Sequence, residues 1–253
     1  MFTSKTLLCG KLPQVRVGIG RGTSDGNVER SVLAMEGHDI TIYNDPHELV
    51  DDLAAGNIDA AVRGDMSSAM LLPILKSRLG VKGLERVVFL EPPGGKLFIL
   101  APVGIDEGWS EEQRLDIAMR SADLARKVGM GDRIAILSGG RCEDVGRCKV
   151  VDRSIDSARA LAKELNGRGY DAYHAQILVE NAVKEADIIL AQDGIIGNML
   201  FRSLHFIGGL RSLGAPAINV DKVFIDTSRA KTDYRDSIAL AMRLSEDSHV
   251  TRD

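Results

Sequence analysis

The 253-residue chain is poor in aromatics, in cysteine and in excess positive charge, and each shortage closes off a class of protein. Phe, Trp and Tyr together make up 4%, whereas an all-β sandwich would draw more heavily on Tyr, Trp and Thr to pack its pleated faces. Cys9, Cys142 and Cys148 are odd in number and contain no C-x-x-C pair. Neither a disulfide framework nor a zinc ribbon is encoded, and a reducing, cytoplasmic setting is expected. Lys and Arg number 32 against 36 Asp and Glu, a net charge of -4, so no overall positive field draws in nucleic acid or acidic lipid. No apolar run reaches the roughly 18 residues that a membrane span requires. The opening MFTSKTLLCGKLPQ is too short and too polar for a signal peptide. His38, His47, His174, His205 and His249 lack the paired spacing of helical metal ligands, so no metal site is expected.

What the chain does have is 44% hydrophobic residues and 26 glycines, arranged as short aliphatic bursts alternating with longer amphipathic stretches. That alternation predicts βαβ units around a mostly parallel sheet. Expected strands are Val15 to Ile19, Asp39 to Tyr43, Ile58 to Val62, Arg86 to Leu90, Leu97 to Ala101, Ile134 to Leu137, Ile188 to Ala191 and Val223 to Ile225. One helix starts at Ser110, where Ser110 and Gln113 form a capping box, and stops at Gly129. Leu115, Ala118, Met119, Ala122 and Ala125 form its apolar stripe. A second helix spans Ser154 to Leu165, turns Ile155, Ala158, Ala162 and Leu165 inward, and ends at Asn166-Gly167. No linker-like or repetitive tract divides the chain, and Glu91-Pro92-Pro93-Gly94-Gly95 is the best seam.

Four strand-to-helix turns carry residues suited to anions, because backbone amides gather at the carboxyl ends of parallel strands. VRVGIGRGTSDGN (15–27) has Gly18 and Gly20 but Thr23 in place of the third glycine of a dinucleotide fingerprint, so a tight turn is the alternative. IDAAVRGDMSSA (58–69) offers Arg63, Gly64, Asp65, Ser67 and Ser68, with helix capping by Asp65 or Ser67 as the alternative. In the third turn, Gln192-Asp193-Gly194, capping by Asp193 competes with ligand contact. The fourth delivers Asp226, Thr227, Ser228 and Arg229 ahead of Asp236, an Arg fork beside a hydroxyl and a helix start. The loop GGRCEDVGRCK (139–149) is basic, and a solvated surface loop is the plainer reading. Taken together, the turns point to a cleft for a phosphorylated ligand.

These segments, in order, resemble the phosphate acetyl/butyryltransferase family. GDMSSAMLLPIL (64–75) is similar to that family's Gly-x-x-x-Ser/Thr-Thr-Ala-Asp-x-x-x-Pro-Ala-Leu segment, keeping Pro73 while Leu71 or its neighbour replaces the acid. SEEQRLDIAMRSADLARKVGMGDRIAILS (110–138) is similar to the helix and strand before its phosphate-side loop. QDGIIGNMLFRSLHFIGG (192–209) resembles its Asp-x-x-x-Gly-Asn signature, and IDTSRAKTDYRDSI (225–238) its Asp-x-Ser-Arg segment. Within that superfamily the chain most resembles the methanogen family called methanogenesis marker protein four, or methyltransferase subunit X.

The resemblance implies an isocitrate/isopropylmalate dehydrogenase-like architecture of two α/β/α domains, 1–92 completed by 215–253 and 93–214, with the active cleft between them and a homodimer. It assigns Ser228 and Arg229 to charge stabilisation and Asp236 to the role of base, with Arg235 standing where the acid would fall. Gly64, Ser67, Ser68, Ser138, Arg141, Asp193, Gly197 and Asn198 would hold a CoA-like or phosphate-bearing ligand, with no cofactor required. Three functions follow as expectations: a transferase of methanogenic one-carbon metabolism working with methyltransferase complex subunits, a phosphate acyltransferase, or a ligand-binding regulatory subunit. The expected small molecule is a phosphate or an acyl or methyl donor.

Overall fold

The computed structural model describes residues 1–22 and 26–246, so Thr23 and His249 lie outside the described residues. In chain order the first stretch contains α1 (Ser4–Leu8), β1 (Val17–Gly20), α2 (Asn27–Leu33), β2 (Ile40–Tyr43), α3 (Pro46–Ala55), β3 (Ala60–Val62) and α4 (Ser68–Arg78). The middle contains β4 (Val88–Glu91), β5 (Phe98–Ala101), α5 (Glu111–Lys127), β6 (Ile134–Leu137), α6 (Lys149–Gly167), β7 (Ala172–Gln176), α7 (Val179–Glu185), β8 (Ile188–Leu190) and α8 (Gly194–Arg202). The chain returns through β9 (Arg211–Pro216), β10 (Val223–Asp226) and α9 (Arg235–Leu244).

Two compact units result. The terminal unit joins Lys5–Leu84 to the segment from Leu213 onward, and the central unit joins Met1–Ser4 to Glu85–Ser212. The Glu91-to-Gly95 stretch, expected as a seam, lies inside the central unit as the turn between antiparallel β4 and β5.

In the terminal unit the strands run β2-β1-β3-β10-β9, with β2, β1, β3 and β10 parallel and β9 antiparallel to β10. The loops after β1, β3 and β10 therefore leave from one edge. Every residue of β1 and β3 is buried, as expected for strands covered on both faces. Leu49, Leu53, Leu71, Leu75 and Phe224 are fully enclosed where α3 and α4 cover the sheet. Asp45 caps α3 by accepting from the His47 amide at 2.7 Å, Pro46 occupies its first turn, and Gly56 ends it at φ 76°.

In the central unit the order is β4-β5-β8-β6-β7, parallel except for β4. Helix α5 begins as expected, with Ser110 accepting from the Gln113 amide at 3.1 Å and Gly129 following it at φ 77°. The Gln113 side chain accepts from the Trp109 amide rather than from that of Ser110. The buried face of α5 is rotated from the expected stripe: Ile117 and Ser121 join Ala118, Ala122 and Ala125, while Leu115 and Met119 are only half-buried. Ser121 tolerates burial because its hydroxyl donates to the Ile117 carbonyl at 2.6 Å. Helix α6 turns Ile155, Ala158, Ala162 and Leu165 inward as expected, together with Leu161, but starts at Lys149 rather than Ser154.

All eight expected strands are present, and β7 and β9 add to them. The fold is mixed α/β with mostly parallel strands. No helix among the described residues is long and apolar enough to cross a membrane.

Candidate functional site

The carboxyl edge of the terminal unit is assembled from three loops stitched by polar contacts. Arg63, at the end of β3, is 5% exposed. Its Nε bonds the Asp226 carboxylate at the end of β10, and its Nη1 donates to the Met66 carbonyl at 2.6 Å. A buried guanidinium needs such a carboxylate, since removing either partner strands a charge away from water. Thr227 Oγ1 donates to the Gly64 carbonyl at 2.6 Å, and the Gly22 amide donates to Asp65 Oδ1 at 2.6 Å. Gly64 has φ 61°, and a Cβ there would lie 1.9 Å from the Gly20 carbonyl oxygen. Only glycine allows the β1 and β3 loops to approach so closely.

On this frame, Ser67 occupies the N-cap position of α4 with no side-chain capping bond, and Ser68 opens the helix. Neither hydroxyl bonds a described residue, and both residues are half-buried. The capping alternative is therefore not realised: Asp65 holds the β1 loop, and Ser67 leaves the helix start uncapped. Ser228 Oγ accepts from the Ala230 amide at 3.2 Å. Arg229 is exposed and makes no ion pair with a described residue. Arg235, where the resemblance would put an acid, is forked onto Asp233, whose carboxylate it holds below the usual range. Asp236 follows, half-buried, in the first turn of α9.

Beneath these loops sits Tyr234, fully buried, its hydroxyl without a hydrogen-bond partner among the described residues. Burial, reinforced by the nearby Asp65 charge, pushes its pKa up to about 12. Asp65 Oδ2 is likewise buried and has no hydrogen-bond partner among the described residues. Sequence reasoning did not single out Tyr234, because a lone Tyr before a helix carries no signal of what lies above it.

The corresponding edge of the central unit looks different. Asp193 caps α8, accepting from the Ile196 amide at 2.9 Å, so here the capping alternative is realised. Asn198 Nδ2 donates to the Val103 carbonyl at 2.9 Å, and a Cβ on Gly197 would lie 1.8 Å from the Pro102 carbonyl oxygen. The Asp-x-x-x-Gly-Asn signature thus seats α8 directly on the loop after β5. That loop is itself held by Glu107, which accepts from Arg86 Nε at 2.6 Å and from the Gly104 amide at 3.0 Å. Burial pushes the Glu107 carboxyl up while Arg86 pulls the other way.

After β6, Ser138 Oγ donates to the Gly140 carbonyl at 2.9 Å. His174 Nε2 lies 2.8 Å from the same hydroxyl. The amides of Gly139, Arg141 and Cys142 go to Ser154, Asp144 and Gln176 respectively. Arg141 itself is exposed, as are all three free cysteines. Among the described residues no three His, Cys, Asp or Glu side chains gather as a metal site.

The structure thus brings Gly64, Ser67, Ser68, Ser228, Arg229 and Asp236 onto loops and helix starts at one edge of the terminal unit, and Ser138, Arg141, Asp193, Gly197 and Asn198 at one edge of the central unit.

No family model matches the chain. It is 40% identical over 202 residues, covering 79% of this chain and 72% of the other, to the Methanosarcina acetivorans protein described as "Putative methyltransferase mtx subunit X". It is 35% identical over 255 residues, covering 91% and 99%, to an "Uncharacterized methyltransferase" of Methanopyrus kandleri. Among solved structures it is similar to a branched-chain phosphotransacylase from Enterococcus faecalis, with a TM-score of 0.73, 17% identity and coverage of 92% and 99%. At that identity the likeness is one of fold. On these grounds the chain belongs to the methyltransferase mtx subunit X family, carried on a phosphotransacetylase-like fold.

Proposed function

We propose that the chain is a transferase-related subunit of methanogenic one-carbon metabolism that binds a phosphate-bearing or CoA-like ligand at the carboxyl edge of its terminal unit. The observation that carries this reading is the uncapped start of α4, where the hydroxyls of Ser67 and Ser68 bond no described residue, in the same unit and at the same sheet edge as Arg229, which pairs with none of the described residues either. A helix start offers orphan amides and a positive dipole end, and guanidinium supplies a forked charge for phosphate oxygens. Methyl transfer comes from the names of the relatives alone, and no corrinoid-binding motif is present in the sequence.

Calorimetry with inorganic phosphate and with coenzyme A tests the site. Wild-type protein should bind, and Arg229→Ala should weaken binding about tenfold or more, the worth of a charged hydrogen bond. Equal affinities for the two proteins would sink the reading. Methyl transfer from a corrinoid donor in the presence of partner subunits tests the reaction, and arsenolysis of acyl-CoA esters tests the acyltransferase alternative. The fork between Arg235 and Asp233 favours a second reading, a ligand-binding subunit without turnover, because it sets a cation where a base would be needed.

The partner part of the proposal is a homodimer in the cytoplasm. Exposed Cys9, Cys142 and Cys148 suit a reducing compartment. On α8 and the turn after it, Met199 and Ile207 are 62% and 87% exposed, an apolar face of the kind that a subunit covers. Sedimentation should show a dimer that Ile207→Asp dissociates, and a monomeric wild type would overturn this part.

A further inference from the structure

The central unit contains a cavity of about 630 Å³ that none of the foregoing uses. Its walls are Met1, Pro92, Val179, Val183, Leu204 and Leu210, with Lys96, Glu180 and Lys184 the charged side chains among its lining. The volume falls within the usual range of small-molecule pockets, and so does the character of the lining: apolar walls with a few polar groups.

Topology places it at the edge of the central unit opposite to Asp193. Lys96 lies two residues before β5, and Lys184 lies in the last turn of α7, before β8, so both stand at the amino ends of strands whose carboxyl ends lead to Asp193 and the loop after β5. Leu204 and Leu210 follow α8 at the end of its return path.

The charges narrow what the cavity accepts. Lys96 Nζ is committed to Asp187 Oδ1 at 3.0 Å. Lys184 is exposed and has no ion-pair partner among the described residues. Glu180, one turn earlier on α7, repels a second negative charge without balancing a ligand held by Lys184. Lys184 is available to meet one negative charge on a bound ligand, whereas a phosphate dianion or coenzyme A would set its surplus charge against Glu180.

We propose that this cavity is a binding site for an aliphatic monocarboxylate, its chain against Val179, Val183 and Leu204 and its head on Lys184. Calorimetry with decanoate, decylamine and decyl phosphate on the full chain is the test. Decanoate should bind, more tightly than either of the other two. Lys184→Ala should weaken decanoate about three- to fivefold, the worth of a partly exposed ion pair, while leaving decylamine no weaker. Glu180→Gln should tighten decanoate. Val183→Trp should abolish binding by filling the cavity, with Leu204→Trp making the same test from the opposite wall if that variant fails to fold. Sedimentation run alongside separates a ligand from a second subunit. Absence of decanoate binding, indifference to Lys184→Ala, or a tryptophan variant that loses its self-association but keeps decanoate would each overturn the proposal. Because Arg229→Ala leaves this cavity intact, the variant should bind decanoate like wild type, so failure of the phosphate site and failure of this one are distinguishable.

Discussion

The two units present the same device, loops leaving the carboxyl ends of parallel strands, and use it in opposite ways. At the central edge Asp193 closes its helix start, Asn198 is bonded to Val103, and the amides of Gly139, Arg141 and Cys142 all have internal partners. At the terminal edge Arg63, Asp226 and Thr227 are locked together, yet Ser67, Ser68 and Arg229 around them make no such bonds with described residues. A rigid frame around uncommitted donors is what a binding site requires, because the donors then lose little freedom when the ligand arrives. The comparison teaches that anion-compatible residue types at a strand end become a candidate site only after their local hydrogen bonds have been counted.

The largest effect that would test this contrast is expected at Gly64. Gly64→Ala combines a positive φ with a 1.9 Å clash against backbone, and should cost about 3 kcal/mol or more of unfolding free energy in urea titrations. A loss below about 1 kcal/mol would mean that the two loops are not held as described.

The sharpest test is paired. Asp193→Ala removes a realised cap and should destabilise by about 1 kcal/mol without altering phosphate affinity. Ser67→Ala removes no cap and should change stability by under about 0.5 kcal/mol while weakening phosphate binding. The reverse pattern would exchange the roles of the two edges.

The smallest effect concerns pH. Burial, followed by the Arg159 charge, lowers the pKa of His174 from 6.5. The folded state then binds fewer protons than the unfolded chain, so this contribution to stability is complete above about 6.5 and is lost as pH falls below it. Thermal melts between pH 5 and 8, the span in which a histidine titrates, should show the decline. His174→Gln should flatten it.

Much of the fold was legible because fully buried parallel strands read as continuous aliphatic runs, as in IAIL (134–137) and IIL (188–190). The exceptions have physical causes. Strand β7, AYHAQ, is half-exposed at its third residue and mixes Tyr and His with alanines, while β9, RSLGAP, includes a glycine at φ 131° and a proline. Neither resembles a strand until its neighbours supply the hydrogen bonds. The site was legible as a set of turns and no further. Ser67 and Asp193 occupy equivalent positions in sequence. The backbone angles separate them: φ -62° and ψ 120° leave Ser67 without a capping bond, whereas φ -161° and ψ 175° deliver the Asp193 carboxylate to Ile196. Residue types alone do not carry such a difference.

The path of the chain has one more consequence. The contact between Arg63 and Asp226 joins residues 163 positions apart, and β3 finds its neighbour β10 only near the end of the polypeptide. On the ribosome the central unit, almost one continuous stretch, emerges whole while β1, β2 and β3 still wait for their last parallel partner. The terminal sheet edge is therefore completed last in the life of each molecule, and a prematurely terminated product would contain a finished middle and an unfinished edge.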